Sequence, residues 1–190
     1  MASPEPGGFR RIGERPRFQG AFIRLVLGTF VDPDGFTFER DIVRHPGAVC
    51  IVPLRADGEV LMVRQYRAPI DAPILELPAG KLDVPGEAVE TSARRELLEE
   101  IGYEAATLTP LGRFYNSPGF TDELTFCFLA EGLASAPRAT QGVEEHHMTV
   151  EHVPLEEAFA LVERGELVDG KSMIGLSLAR EHLRARALGV

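Results

Sequence analysis

The stretch that decides the fold is RELLEEIGY, residues 95–103, in the middle of a chain of 190 residues. On a helix, Glu96, Glu99 and Glu100 lie three and four positions apart, so their carboxylates project from one face, close to each other. Like charges at this spacing repel, so the cluster favours a site for a doubly positive ion. Carboxylate oxygens are the ligands that magnesium and manganese prefer.

The same stretch has a second, apolar face. The pattern predicts a helix from Glu87 to Ile101, with Gly102 ending it in the usual C-terminal glycine role. Ala93, Leu97 and Ile101 would then be buried. The competing interpretation is a solvated helix, because Glu-rich helices are usually exposed. A glycine-bearing loop before the helix, the glycine after it and the apolar face together favour a functional site.

Composition and charge restrict the class of protein. An apolar content of 44% is enough for one core, whereas a net charge of -9 and a pI near 5.1 disfavour a nucleic-acid partner. An anionic substrate would need metal ions or a few arginines. Residues 1–13 contain no apolar secretion segment and the apolar runs are too short to span a membrane, so the sequence predicts a cytoplasmic protein. Cys50 and Cys127 lie in strand-like segments, which favours buried thiols over a disulfide or a zinc site.

The remaining pattern predicts three segments along the chain. Residues 1–16 read as a flexible tail, 17–45 as N-terminal strands that form a hairpin around Asp32-Pro33-Asp34-Gly35, and 46–190 as the main domain. Many short strands with a few helices indicate an α+β or α/β sandwich, a mixed sheet with helices on both faces. The further strands are predicted at 48–54, 60–65, 74–77, 108–115, 123–130 and 148–154, and the further helices at 155–164 and 172–188.

Gly80, Glu87 and the run 95–103 resemble the Nudix box, Gly-x5-Glu-x7-Arg-Glu-U-x-Glu-Glu-x-Gly-U, where U is a bulky apolar residue. One departure is that six residues, not five, separate Gly80 from Glu87. Every later spacing fits. The resemblance implies a Nudix-type α/β/α sandwich that hydrolyses a nucleoside diphosphate compound with the help of divalent ions.

The resemblance also implies roles for single residues. In the family, the metal is held by glutamates that match Glu96 and Glu100, often by one that matches Glu99, and by a backbone carbonyl that matches Ala79. The family arginine that matches Arg95 holds the glutamates in place. The expected cofactor is Mg²⁺, with Mn²⁺ as the alternative.

Four flanking segments, 40–49, 63–67, 76–80 and 117–123, are similar to the ADP-ribose pyrophosphatase branch of the family, which carries a proline at the place of Pro118. The branch implies that ADP-ribose is cut to AMP and ribose 5-phosphate by a homodimer whose N-terminal strands cross to the partner. Simpler readings remain open: Pro118-Gly119 as a mere turn and Arg67 as a surface residue. The implied substrate contacts are Arg67 to phosphate, Arg40 to adenine, Glu123 to the distal ribose, and Gly119.

The catalytic base of this branch lies on a late loop, here residues 140–147. Counting back from the next strand favours Glu144, with Glu145 second; the alternative is an exposed pair without a role. The alternative functions are the same hydrolysis of a nucleotide sugar, NADH or an oxidised nucleotide, or an ADP-ribose-binding module without catalysis. The complete set of box glutamates favours an enzyme.

Overall fold

The computed structural model describes residues 6–138 and 146–189. Most of its strands and helices follow the hydrophobic pattern of the sequence. Two short 3-10 turns lie at Pro6–Gly8 and Ala68–Ile70. The elements are β1 (Arg10–Gln19), β2 (Arg24–Val31), β3 (Thr37–Arg44), β4 (Ala48–Pro53), β5 (Glu59–Arg67), β6 (Ala72–Glu76), β7 (Ala79–Lys81), α1 (Val89–Ile101), β8 (Tyr103–Tyr115), β9 (Leu124–Ser135), β10 (Thr149–Pro154), α2 (Leu155–Glu163) and α3 (Gly170–Leu188).

The chain divides into two compact units, and the first holds the N-terminal strands. It consists of the described residues up to Gly47 together with Tyr115–Leu124. β1, β2 and β3 form an antiparallel sheet in that order, and Asp32 closes the predicted hairpin by accepting bonds from the amides of Asp34 and Phe36. The hairpin is therefore confirmed.

β1 corrects the predicted extent of the tail. Residues 10–16, which the sequence assigns to the flexible segment 1–16, belong to this strand and pair with β2. None of its side chains is buried, so no alternating apolar pattern marks the strand in the sequence. It is held by backbone pairing with β2 and by the ion pairs Glu14–Arg44 and Arg15–Glu39. Pro16 is tolerated because the register shifts between Pro16 and Phe18 and β1 lies at the edge of its sheet.

The second unit, Ala48–Phe114 and the residues from Thr125 onward, contains two sheets. One has the order β10-β5-β6 and is antiparallel throughout. The other has the order β7-β4-β9-β8, with β4 parallel to β9 and antiparallel to β7. The second unit thus contains the predicted mixed sheet.

The core of the second unit lies on both faces of β4. Val49 and Ile51 pack in a cluster with α1, whereas Cys50 and Val52 pack with α2 and α3. Because successive strand residues point to opposite faces, helices must cover both sides of the sheet. This arrangement confirms the predicted α/β/α sandwich.

Two further predictions can be compared with the described residues. Cys50 and Cys127 are free, buried thiols opposite each other on β4 and β9, which confirms the reading of buried thiols. No helix in the described part of the chain is long and apolar enough to cross a membrane.

Candidate active site

Helix α1 brings the three glutamates together as the spacing predicts. Its apolar face is buried in the core, and Gly102 ends it in the left-handed conformation (φ 71°) while donating its N–H to the carbonyl of Leu98. The carboxylate-bearing residues Glu96, Glu99 and Glu100 are also buried, with 8% exposure or less. Burying three carboxylates at one place is costly unless each is paired or hydrogen-bonded.

Arg95 supplies much of that pairing. Its Nη1 donates to Glu96 at 2.8 Å and to Glu99 at 3.0 Å, while Nε and Nη2 both reach Glu87 at 3.2 Å. Burial alone would lower the pKa of the guanidinium, but the three carboxylates raise it above its ordinary value. A planar five-donor fork is what allows one side chain to bond three acids.

Strand β7 runs beside these carboxylates, where the sequence predicts only a loop. The N–H of Ala79 donates to Glu100 Oε2 at 2.9 Å. A Cβ atom added to Gly80 would lie 1.8 Å from Glu96 Cδ and 2.1 Å and 2.3 Å from its oxygens. A side chain at this position would therefore have to displace the Glu96 carboxylate.

The donor set suits a hard divalent cation. Glu96, Glu99 and Glu100 offer carboxylate oxygens next to the backbone of Ala79, and oxygen donors are what Mg²⁺ and Mn²⁺ bind. In the arrangement seen here, Arg95 bonds two of these acids, and no three acidic, histidine or cysteine side chains of the described residues are placed to hold an ion directly. The predicted metal site therefore stays a prediction that the chemistry of the residues supports.

Arg67, the predicted phosphate contact, lies at the end of β5 in a network that the sequence did not predict. Its Nε and Nη2 donate to the two oxygens of Glu76, each at 2.6 Å, and Glu76 is completely buried. Lys171 approaches the same carboxylate and also bonds Asp169. We call Arg67, Glu76, Asp169, Lys171 and Ser172 the Glu76 network.

Two sequence signals point to this network in retrospect. Glu76 is a lone charge that ends an apolar strand, and Asp169 precedes a helix start with Ser172 three positions later, a capping pattern. Asp169 accepts bonds from the N–H of Ser172 at 2.9 Å and from its hydroxyl at 2.6 Å. The Ser172 hydroxyl in turn accepts the N–H of Leu77 at 2.6 Å, so the start of α3 is fastened to the segment leading to Ala79.

The other predicted substrate contacts belong to the first unit. Arg40 lies on β3, where its Nη1 donates to the carbonyl of Glu39 and its guanidinium lies 4.7 Å from the centre of the Phe38 ring. Gly119 is in a turn, and Glu123 ends the same loop, donating its N–H to the Thr121 hydroxyl. The loop thus carries both residues, and their contacts with a substrate stay predictions.

The predicted catalytic bases, Glu144 and Glu145, lie outside the described residues. Their assignment stays a prediction from the sequence.

The chain is similar in sequence and in fold to several known proteins. Residues 43–173 match the sequence model of the NUDIX domain. The ADP-ribose pyrophosphatase of Bacillus subtilis (strain 168) is 41% identical over 86% of this chain and 88% of its own. The methanol dehydrogenase activator of Bacillus methanolicus is 36% identical over 84% of this chain and 85% of its own. A crystal structure of an ADP compounds hydrolase has the same fold, with a TM-score of 0.83 over 97% of this chain and 98% of that chain at 22% identity.

Proposed function

Because this chain belongs to the NUDIX family, we propose that it hydrolyses the pyrophosphate of ADP-ribose to AMP and ribose 5-phosphate. The observation that carries this proposal is the group of three buried carboxylates on α1. Arg95 bonds Glu96 and Glu99, the Ala79 N–H bonds Glu100, and Glu96 lies directly against Gly80 of β7. The choice of ADP-ribose is supported by the extended similarity to the Bacillus subtilis ADP-ribose pyrophosphatase.

Glu96, Glu99, Glu100 and the carbonyl of Ala79 would hold the divalent ions, Mg²⁺ first and Mn²⁺ as the alternative. When bound, such ions neutralise the charge of the diphosphate and lower the pKa of bound water. Arg95 would keep the glutamates oriented through the hydrogen bonds described above.

The other residues would bind the substrate and move the proton. Arg67 would donate hydrogen bonds to the diphosphate, and Glu144, or Glu145 in its place, would take a proton from the attacking water. Water adds to one phosphorus as the bridging P–O bond breaks, and the departing phosphate keeps the bridging oxygen. Arg40, Gly119 and Glu123 are proposed to contact the adenine and distal ribose portions of ADP-ribose.

The test is a substrate panel of ADP-ribose, a nucleotide sugar, NADH and an oxidised nucleotide, with Mg²⁺ or with EDTA, and with the released nucleotide as readout. ADP-ribose is expected to give AMP with the highest kcat/KM, and only with the metal. Faster hydrolysis of another compound would reassign the substrate, and binding of ADP-ribose without any turnover would indicate a binding module.

Variants separate the metal site from general damage to the helix. Glu96→Gln and Glu100→Gln are each expected to lower kcat by at least about 100-fold, because an amide is a poor ligand for a hard cation. Glu90→Gln is the matched control, since Glu90 is exposed in the first turn of the same helix. Wild-type turnover in both site variants would rule out the proposed mechanism.

We further propose a homodimer in the cytoplasm. Phe18, Phe22 and Phe36 of the first unit are large apolar side chains with 48–70% exposure, as a protein partner would require. The two free thiols suit a reducing compartment. Sedimentation velocity at micromolar concentration is expected to give twice the mass of the 20.8 kDa chain.

A further inference from the structure

Two cationic side chains, those of Arg67 and Lys171, lie against the buried carboxylate of Glu76. Glu76 is completely buried, and Arg67 donates to both of its oxygens. Lys171 Nζ lies 3.5 Å from Glu76 Oε2 and 2.7 Å from Asp169 Oδ1. The two acids and the two bases therefore form one charge-balanced group.

The position of the Lys171 ammonium group in this network is unfavourable for a cation. It lies in the first turn of α3, two positions after the N-cap Asp169, where the positive end of the helix dipole disfavours a cation. Its side chain is only 19% exposed, so most of its hydration is also lost. Burial would lower the pKa of Lys171, but Asp169 and Glu76 raise it above its usual range. A cation retained in such a place is held there by the two acids.

Removing Lys171 would change the charge near the diphosphate. With Lys171, the pairs Arg67/Lys171 and Glu76/Asp169 cancel; without it, one negative charge is left over. Arg67 is also within the field of Glu100, whose carboxylate helps, after Glu76, to raise the pKa of the guanidinium. An extra negative charge here would repel an anionic substrate and tie Arg67 more fully to the acids.

We propose that Lys171 is a positioning residue for diphosphate recognition: it offsets the charge of Asp169, so that Arg67 balances Glu76 alone and can still present its Nη1 edge to the substrate. Nε and Nη2 of Arg67 are engaged by Glu76, which leaves the Nη1 edge of the half-buried guanidinium for a phosphate oxygen. The inference rests on the proposed function, because it takes the ligand to be a nucleoside diphosphate compound.

The experiment compares Lys171→Met, Lys171→Arg and the double variant Asp169→Asn/Lys171→Met. Lys171→Met is expected to raise KM for ADP-ribose about tenfold while kcat stays within about threefold, because Lys171 acts on binding. Lys171→Arg keeps the charge and is expected to keep KM. The double variant restores neutrality with a side chain that still caps α3, and it is expected to recover KM to within about threefold of wild type.

A second measurement does not depend on turnover. It is titration calorimetry, in Mg²⁺ and in EDTA, with an ADP-ribose analogue whose diphosphate carries a methylene bridge. The Kd of the analogue is expected to rise about tenfold in Lys171→Met and to return to the wild-type value in the double variant. Arg184→Met, which removes an exposed cation from the same helix, is the matched control. If Lys171→Met does not fold, the comparison of the double variant and Lys171→Arg with wild type decides the question.

Two results would overturn the inference: a lowered Tm of Lys171→Met with unchanged KM and analogue affinity, or a double variant whose KM is as poor as that of Lys171→Met. Either would reduce Lys171 to a structural ion pair. Failure of the wild-type protein to release AMP from ADP-ribose would contradict the proposed function instead, and this is measured before any variant is compared.

Discussion

At the scale of single residues, the close approach of Gly80 to the Glu96 carboxylate fixes where that carboxylate can lie. The backbone of β7 lies against the carboxylate with no room for a Cβ atom. We expect Gly80→Ala to push Glu96 out of place and to lower kcat/KM for AMP release by about 100-fold, because displacements of about an ångström are enough for such losses.

Gly13→Ala is the control for that variant. A Cβ atom at Gly13 would have its nearest neighbour at 3.8 Å, so the substitution is expected to leave kcat/KM unchanged. Equal activity of Gly80→Ala and wild type would contradict the role given to the Glu96 carboxylate.

Arg95 provides a second prediction at this scale. Arg95→Lys keeps the positive charge but cannot bond Glu87, Glu96 and Glu99 together, because an ammonium group lacks the planar fork. We expect kcat to fall about tenfold and the Mg²⁺ concentration for half-maximal activity to rise, as measured by a metal titration at saturating substrate. An unchanged metal dependence would show that the glutamates do not need this fork.

The sequence predicted the residues of α1 better than those around Arg67. Glu96, Glu99 and Glu100 are close in sequence, so helical periodicity is enough to bring them together. Glu76 and Lys171 are 95 positions apart, and their contact depends on how α3 packs, which no local pattern contains. The sequence was enough to predict Arg67 as a phosphate contact. It could not show that the Arg67 guanidinium bonds both carboxylate oxygens of Glu76.

At the scale of elements, the start of α3 gives a pH-dependent prediction. Burial would raise the pKa of Asp169, but Lys171 and Ser172 outweigh it and the pKa is lowered. A lowered carboxyl pKa gives stability that is present above the unfolded value of about 3.9 and is lost as pH falls through the folded value. We expect wild type to exceed Asp169→Asn by about 1 to 2 kcal/mol in the free energy of unfolding near pH 7.

This difference should shrink as the pH falls below about 4, where the carboxyl of the unfolded chain takes up a proton before that of the folded protein does. Urea unfolding at several pH values measures it. A difference that stays constant between pH 7 and pH 3 would contradict the pairing of Asp169 with Lys171 and Ser172.

Two elements were beyond the reach of the pattern for different reasons. β1 buries no side chain, so the alternation that marks a half-buried strand is missing. β7 is only three residues long and is recognised by its pairing with β4 rather than by composition. β4, by contrast, is buried along its whole length and reads directly as an apolar run.

At the scale of the whole molecule, burial predicts which parts of the chain open first. Backbone amides in β4 and β5 are expected to be the slowest to exchange with deuterium, because Val49–Val52 and Val60–Val63 are fully buried. β1, an edge strand with exposed side chains, is expected to exchange much faster. Mass spectrometry of peptides from the exchanged protein measures this order, and equal protection of β1 and β4 would contradict it.

Cys50 and Cys127, the free thiols that lie opposite each other on β4 and β9, give the protein an intrinsic probe of core opening. The pKa of Cys50 is raised by its hydrogen bond with Cys127 and by burial, so the reactive thiolate is scarce while the sheet is intact. A disulfide reagent added to the native protein would therefore modify both thiols only as fast as the core opens. With a chromogenic disulfide reagent, the rate at which the coloured thiolate is released would measure that opening without denaturant or an introduced label.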